Sequence, residues 1–265
     1  MTHNPIRAIF RIATTSLALA LGTFIILLTG WIPVRVRRIR FAAWNMRWMA
    51  RAFLRIFDVR LEPPPPETFT EHEGFIFPNH LSYVDIVLLV SIMPMRFLAK
   101  ESVRTWPFIG WMARAVGTVF VNRGDKASRH QAREQLAHVE RYPPIVVFPE
   151  GRIGPGGVLL PFRHGAFEIA AQNSTPFLPC AIIYDREALV QWGDETLWAA
   201  VWRLAGRSGP VQARLMPLPV VHPTPEANTQ QLALQTHEAI ARALAYPPGV
   251  LPPEVAEGRN YFDHG

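Results

Sequence analysis

The first stretch whose residue types could do chemistry is His80 with Asp85, five residues further along the chain. The apolar run Phe75–Phe77 precedes this pair and predicts a buried strand, and the apolar run 86–90 that follows predicts a helix. An imidazole beside a carboxylate is a general base, because the carboxylate fixes the tautomer and stabilises the imidazolium. The competing interpretation is structural, since Ser82-x-x-Asp85 is also a helix N-cap pattern.

Two more polar side chains follow predicted strands. Arg123 comes after the apolar run Val116–Val121, and Glu150 comes after Ile145–Phe148. A guanidinium at a strand end can hold a phosphate bidentately, although a surface arginine fits the same stretch. Because ligands bind at the carboxyl ends of parallel strands, we expect His80, Arg123 and Glu150 to line one cleft.

From about Gly74 the chain alternates strand-like and helix-like runs. The further predicted strands are Phe97–Ala99, Leu178–Tyr184 and Gln212–Met216. The predicted helices are Val84–Ile92, Pro107–Ala115, Ala127–Arg141, Ala166–Gln172 and Thr229–Ala245. This alternation predicts an α/β fold with a mixed, largely parallel sheet covered by helices.

The segment Ile12–Val34 contains no charged residue over 23 positions. As a helix it would span about 34 Å, which is enough to cross a bilayer core. A cleaved signal peptide or a buried helix would give a similar pattern, but a signal core is shorter. We therefore expect a retained membrane segment, and the sequence leaves open whether it crosses the bilayer or inserts from one side.

A basic stretch, Arg35–Phe57, follows directly and predicts an amphipathic helix lying in an anionic membrane surface. Its arginines are Arg35, Arg37, Arg38, Arg40, Arg47, Arg51 and Arg55. The alternative is a helix docked on the domain with its arginines in solvent. Seven arginines after the apolar segment, against Arg7 and Arg11 before it, predict an inner-membrane protein whose main domain is on the cytoplasmic face.

The chain is expected to divide into three parts. Residues 1–62 form the membrane segment and basic helix, residues 63–73 a proline-rich connector, and residues 74–265 the catalytic domain. The net charge is +6, and a single cysteine excludes an intrachain disulfide. No H-E-x-x-H or paired C-x-x-C spacing is present, so no metal site is predicted.

The chain carries four ordered blocks: Asn79-His80 with Asp85, Gly117-x-x-Phe120-x-x-Arg123, Phe148-Pro149-Glu150-Gly151 and Phe177-Leu178-Pro179. In this order and spacing they resemble the glycerolipid acyltransferase family, and most closely its 1-acyl-glycerol-3-phosphate (lysophosphatidic acid) acyltransferases. The resemblance covers about 75–179.

The resemblance implies a reaction in which His80 is the general base and Asp85 orients it. His80 would take the proton from the sn-2 hydroxyl of 1-acyl-glycerol-3-phosphate as this oxygen attacks the thioester of acyl-CoA or acyl-carrier protein, giving phosphatidic acid. Substrate-binding roles are implied for Asn79, Lys100, Arg123, Glu150, Gly151 and Arg152. The implied partners are the lipid bilayer, the lysophospholipid and the acyl thioester, with no cofactor and no nucleic acid.

One position departs from the family. The third block usually continues Gly-Thr-Arg, whereas here Gly151 is followed by Arg152 and Ile153. This departure leaves open another lysolipid acceptor, such as a lyso-amino-acid lipid. A non-catalytic basic membrane adaptor is the alternative from another class, because the basic stretch alone would serve that role. Binding to nucleic acid is disfavoured because the basic stretch adjoins an apolar segment.

Overall fold

The computed structural model describes residues 3–247, except residues 107, 108, 116, 123, 139 and 194. The helices are α1 (Pro5–Thr29), α2 (Phe41–Ile56), α3 (Pro66–Thr70), α4 (Tyr83–Ile92), α5 (Ile109–Ala115), α6 (Lys126–His138), α7 (Gly165–Gln172), α8 (Glu187–Val190), α9 (Leu197–Gly206) and α10 (Thr229–Ala243). The strands are β1 (Arg35–Val36), β2 (Ile39–Arg40), β3 (Val59–Glu62), β4 (Phe75–Pro78), β5 (Arg96–Lys100), β6 (Val119–Val121), β7 (Ile145–Val146), β8 (Phe177–Tyr184) and β9 (Val211–Pro217).

Seven strands form one sheet in the order β3-β9-β8-β4-β7-β5-β6. Every neighbouring pair is parallel except β8 with β9. The carboxyl ends of β4, β5, β6, β7 and β8 therefore share one edge. The predicted mixed, largely parallel sheet is confirmed. Strand β4, which leads into the first block at Asn79-His80, lies at its centre.

Helices cover both faces of the sheet because its strands are apolar on both sides. In β4, Ile76 joins the core beneath α1, α2, α4 and α9, whereas Phe75 and Phe77 join the core beneath α6, α7 and α10. All three side chains are almost completely buried. Burial on both faces fixes the height and register of β4, and thereby the position of the residues that follow it.

Helix α1 begins at Pro5 because Asn4 caps it, accepting the Arg7 backbone N–H at 3.0 Å. It ends at Thr29, five residues before the predicted end of the apolar segment. Among the described helices it is the one long and apolar enough to cross a membrane.

Both ends of α1 contact the rest of the chain. Near its start, the Asn4 N–H donates to the Gly206 carbonyl at 3.0 Å and Arg11 donates to the Ala205 carbonyl at 3.0 Å. Near its end, Ile26 clusters with Met49 and Met112. One side of α1 therefore lies along the domain, while its opposite side exposes apolar residues, among them Ile6, Phe10, Leu17, Phe24 and Leu27.

The continuous basic helix predicted over Arg35–Phe57 is wrong in its first six residues. Residues 35–40 form a two-stranded hairpin, and α2 starts at Phe41. Arg37 and Arg38 take φ values of 50° and 65°, which turn the chain and exclude a helix there. Arg47 and Arg51 donate from Nε to the Ser91 carbonyl at 3.3 and 2.9 Å, so this part of α2 is docked on the domain.

Strand β3 lies in the sequence segment that was assigned to the membrane part, yet it pairs with β9 in the main sheet. The proline run that follows is extended until Pro66, which opens the short helix α3. The division into membrane part, connector and catalytic domain stays a prediction, with β3 structurally part of the sheet.

Candidate active site

His80 lies just beyond the carboxyl end of β4, where the chain turns into α4. Its ring stacks on Phe148 with centroids 3.8 Å apart and an angle of 18° between the planes. Its Nδ1 donates to Oδ2 of Asp85 at 2.9 Å, and the histidine side chain is 11% exposed. Within the described part of the chain no hydrogen bond reaches Nε2, so this nitrogen is the one available to a substrate.

Asp85 is completely buried and accepts four hydrogen bonds. Besides the imidazole, its Oδ2 accepts the backbone N–H groups of Leu81 at 2.7 Å and Ser82 at 2.9 Å. Its Oδ1 accepts the hydroxyl of Tyr184 at 2.6 Å. A buried carboxylate needs such donors to compensate for lost hydration.

The N-cap interpretation of Ser82-x-x-Asp85 is also confirmed. Ser82 and Asp85 form a capping box at the start of α4, and the Ser82 hydroxyl accepts the Val84 N–H at 3.2 Å. The two interpretations of this motif are therefore compatible. Asp85 caps the helix and holds the imidazole with the same carboxylate, so helix formation itself positions the His80–Asp85 pair.

Glu150 follows β7 and is buried beside the same loop. Its Oε1 accepts the backbone N–H of His80 at 2.6 Å, and its Oε2 accepts that of Leu160 at 3.1 Å. The Gly154 N–H donates to the His80 carbonyl at 2.7 Å. A Cβ on Gly154 would lie 2.9 Å from Oε2 of Glu150, so only glycine permits this close approach.

The pKa of Glu150 is raised to about 8, mainly by burial and also by the negative charge of Asp85. The backbone donors His80 and Leu160 and the charge of Arg152 act in the opposite direction. Glu150 thus contacts the backbone of His80 rather than its ring. Its two hydrogen bonds hold the backbone of the loop that carries His80.

Gly151 has a φ of 76°, a conformation that favours glycine. A Cβ at this position would lie 2.6 Å from Nε of Arg163, which packs over it. Arg152 is half-buried, and its charge lowers the pKa of both Glu150 and Arg163. Two cationic side chains therefore lie beside Glu150.

The other predicted substrate-binding residues are placed differently. Asn79 is buried, and its amide pairs with the backbone of Ile182 in β8 at 3.1 and 2.7 Å, so it ties β4 to its neighbour. Lys100 is exposed at the carboxyl end of β5, two strands away from β4. Arg123 lies outside the described residues. The binding roles of these three residues stay predictions.

Tyr184 and Phe148 are the two side chains of the site whose roles the sequence interpretation did not assign. Tyr184 ends β8, which runs parallel to β4 as its neighbour. The rule that polar groups at the carboxyl ends of adjacent parallel strands meet would have found it. Burial raises the pKa of this hydroxyl well above its usual range, so it stays a hydrogen-bond donor to Asp85.

The fold and this geometry define a class of protein: an α/β fold with a buried carboxylate holding a histidine at the carboxyl edge of the sheet, an arrangement that suits general base chemistry. The described residues contain no group of three or more histidine, cysteine or acidic side chains that could hold a metal ion. The arrangement can remove a proton from a hydroxyl that approaches Nε2.

Comparison with known proteins gives the family. The profile of the family described as Acyltransferase matches residues 60–183. A lyso-ornithine lipid O-acyltransferase from Pseudomonas aeruginosa is 30% identical over 243 residues, which cover 86% of this chain and 88% of that protein. A 1-acyl-sn-glycerol-3-phosphate acyltransferase from Neisseria meningitidis is 28% identical over 162 residues, covering 59% and 64%. The chain belongs to the acyltransferase family, as the four blocks indicated.

A solved structure has the same fold. The crystal structure of the 1-acyl-sn-glycerophosphate acyltransferase PlsC from Thermotoga maritima matches with a TM-score of 0.73 and 20% identity, covering 94% of this chain and 98% of that one. The likeness therefore includes the N-terminal helices as well as the sheet. This chain is a glycerolipid or lysolipid acyltransferase associated with membranes.

Proposed function

We propose that this enzyme moves a fatty acyl chain from an acyl thioester to the free hydroxyl of a lyso-ornithine lipid. The observation that carries the reaction is the 2.9 Å contact between the His80 ring and buried Asp85. The acceptor is supported by the relative from Pseudomonas aeruginosa, which is similar over most of both chains.

In the proposed reaction, Nε2 of His80 takes the proton from the acceptor hydroxyl. The oxygen attacks the thioester carbonyl carbon, and Asp85 stabilises the imidazolium that forms. When the tetrahedral intermediate collapses, the carbon–sulfur bond breaks and the imidazolium gives its proton to the leaving thiolate. Acyl-CoA or acyl-carrier protein supplies the thioester, and no covalent acyl-enzyme is needed.

The departure in the third block favours an acceptor other than a phosphomonoester. A phosphate carries close to two negative charges and is best held by several guanidinium groups. The family's usual arginine position here holds Ile153, which has no charge. An ornithine headgroup carries a cationic amine, so this acceptor requires less positive charge from the protein.

Lysophosphatidic acid is the second candidate acceptor. The relatives from Neisseria species support it, and Arg152 and Arg163 beside Glu150 provide cationic groups that could bind a phosphate. In this version Arg152, Lys100 and Arg123 contact the phosphate. The free hydroxyl at the sn-2 position is then the group that His80 deprotonates.

We further propose that α1 attaches the enzyme to the cytoplasmic face of the inner membrane from one side. Contacts at both ends of α1 hold it along the domain, and its outward side is apolar. A helix that crossed the bilayer would have to release the contacts at its first turns, including Asn4 with Gly206. One-sided insertion keeps lipid acceptor and product at the interface.

The acceptor is tested with purified protein, acyl-CoA and a panel of lysolipids. We expect the highest kcat/KM with lyso-ornithine lipid and a weaker reaction with lysophosphatidic acid. The matched variant Ile153→Arg restores the charge of the usual family pattern and should shift preference toward lysophosphatidic acid. Higher kcat/KM for lysophosphatidic acid in the wild type would contradict the first acceptor. Acyl transfer to neither lipid would contradict both acceptors and direct the search to another lysolipid of the panel.

A further inference from the structure

A cavity of about 290 Å³ lies at a different edge of the sheet from the loop that carries His80. It is formed by the hairpin 35–40, the segments that lead into β5 and β7, and the end of α5. These are the amino ends of parallel strands, whereas His80 follows the carboxyl end of β4. The cavity is therefore at the edge opposite the candidate active site.

The charge of this cavity is strongly unbalanced. Its lining includes five arginines and one acidic residue, Glu140; the arginines are Arg35, Arg38, Arg40, Arg96 and Arg114. Arg35 lies 3.7 Å from Glu140, and Arg38 pairs with Glu73 outside the lining. In the part of the chain that the structure describes, no carboxylate pairs with Arg40 or Arg114. Arg96 is buried, and its guanidinium already donates to the backbone carbonyls of Glu140 and Pro143. This excess of positive charge favours the binding of an anion.

The arginines of the hairpin occupy positions at which other residue types are locally more stable. Arg35 and Arg40 are direct cross-strand partners, and like charges in this position repel. Arg37 and Arg38 occupy the two central turn positions with positive φ, where asparagine and glycine are strongly preferred. Unfavourable local choices of this kind concentrate at functional sites.

The surroundings of the hairpin identify the source of the anion. It follows α1 directly, and exposed apolar side chains flank it: Trp31, Val34, Val36 and Phe41. An exposed tryptophan at such a place is typical of a membrane interface. An anion that reaches the cavity beside these side chains belongs to a lipid headgroup.

We propose that this cavity binds the phosphate of an anionic phospholipid of the bilayer. The guanidinium groups of Arg40 from the hairpin and Arg114 from α5 would hold that phosphate. The cavity is at the edge of the sheet opposite His80, so binding here does not occupy the acceptor site. The site does not depend on which lysolipid is the acceptor.

The proposal is tested by thermal unfolding of the detergent-purified protein with soluble dihexanoyl phosphatidylglycerol. We expect the lipid to raise Tm, and neither dihexanoyl phosphatidylcholine nor inorganic phosphate to do so at the same concentration. Arg40→Gln should weaken the apparent affinity for the anionic lipid about fivefold. Arg37→Gln is the matched control, because Arg37 is on the same hairpin but does not line this cavity.

Arg40→Gln also removes the repulsion with Arg35, so without lipid its Tm should equal or exceed that of the wild type. Acyl transfer in detergent should be unchanged in this variant, which separates the lipid site from the catalytic proposal. Equal weakening by Arg37→Gln would indicate diffuse surface attraction and overturn the site. A Tm rise with phosphatidylcholine, or with phosphate alone, would overturn the assignment to an anionic lipid.

Discussion

Two buried carboxylates flank the same histidine and hold different parts of it. Asp85 binds the imidazole ring and also receives the Tyr184 hydroxyl. Glu150 binds the backbone N–H of His80 and that of Leu160. Burial raises the pKa of Glu150 to about 8, whereas Asp85 has four donors around its two oxygens.

The difference indicates a division of roles between the two loops. In the proposed reaction, the loop after β4 carries the proton chemistry, because its carboxylate contacts the ring that would accept the proton. The loop after β7 holds the conformation of the loop after β4, because the carboxyl group of Glu150 accepts backbone N–H groups of both His80 and Leu160. Substitutions of Asp85 and Glu150 should therefore separate turnover from stability.

The largest expected effect is that of Asp85→Asn on turnover. The amide oxygen can keep the three bonds of Oδ2, and the amide NH₂ can donate to Tyr184, so the fold is retained. The negative charge that stabilises the imidazolium is lost, and kcat should fall by about 10³-fold. The measurement is steady-state acyl transfer beside a melting curve.

Asp185→Asn is the control for this change, since Asp185 is exposed, accepts the Gln212 N–H and makes no contact with His80 among the described hydrogen bonds. It should leave kcat unchanged. A loss of folding in Asp85→Asn with normal specific activity of the folded fraction would show that Asp85 serves only as a helix cap.

Tyr184→Phe should have the next largest effect. It leaves Oδ1 of Asp85 without a donor in a fully buried site, which costs about 1.5–3 kcal/mol of unfolding free energy. Turnover should fall about tenfold because the carboxylate is less firmly oriented. Tyr142→Phe is a suitable control, because within the described residues the Tyr142 hydroxyl makes no hydrogen bond. Identical behaviour of both variants would remove Tyr184 from the site.

Glu150→Gln tests the other side of the comparison. The amide NH₂ faces a backbone N–H, either that of His80 or that of Leu160, so one buried donor loses its acceptor. We expect a loss of about 1–3 kcal/mol in unfolding free energy and a smaller loss of kcat than in Asp85→Asn. Glu168→Gln, which removes a surface pair with Arg133, controls for loss of charge. A kcat loss equal to that of Asp85→Asn would contradict the division of roles.

A pH dependence of stability tests the buried carboxyl group of Glu150 separately. Because the pKa of Glu150 is raised from 4.5 to about 8 on folding, the folded state holds the proton more tightly than the unfolded state. Its contribution to stability is greatest below pH 4.5 and falls by at most about 1.4 kcal/mol per pH unit until about pH 8. Unfolding of wild type and Glu150→Gln between pH 5 and pH 8 measures it. A constant difference between them would show that Glu150 is ionised throughout.

Much of the fold could be predicted from the sequence, because long apolar runs specify elements buried on both faces. The predicted strands Phe75–Phe77 and Leu178–Tyr184 differ from the observed ones by a single terminal residue each. The pairing of His80 with Asp85 followed from the residue types and spacing. Its realisation depends on the capping box, which the same motif encodes locally.

Other features of the structure could not be predicted from the sequence, because they depend on tertiary contacts. The hairpin at 35–40 breaks the helical pattern through two arginines at positive φ, which no turn preference predicts. The role of Tyr184 requires β8 beside β4, a neighbour separated by about a hundred residues. Helix α9 had a signal that was not used, namely Thr196 as N-cap before an amphipathic run.

The most direct test of the central claim is His80→Ala, measured for acyl transfer and for binding to phosphatidylglycerol vesicles in the same preparation. The account predicts that turnover falls by about 10²–10⁴-fold while vesicle binding is unchanged. Turnover within a few-fold of wild type would contradict a histidine general base and with it the proposed reaction.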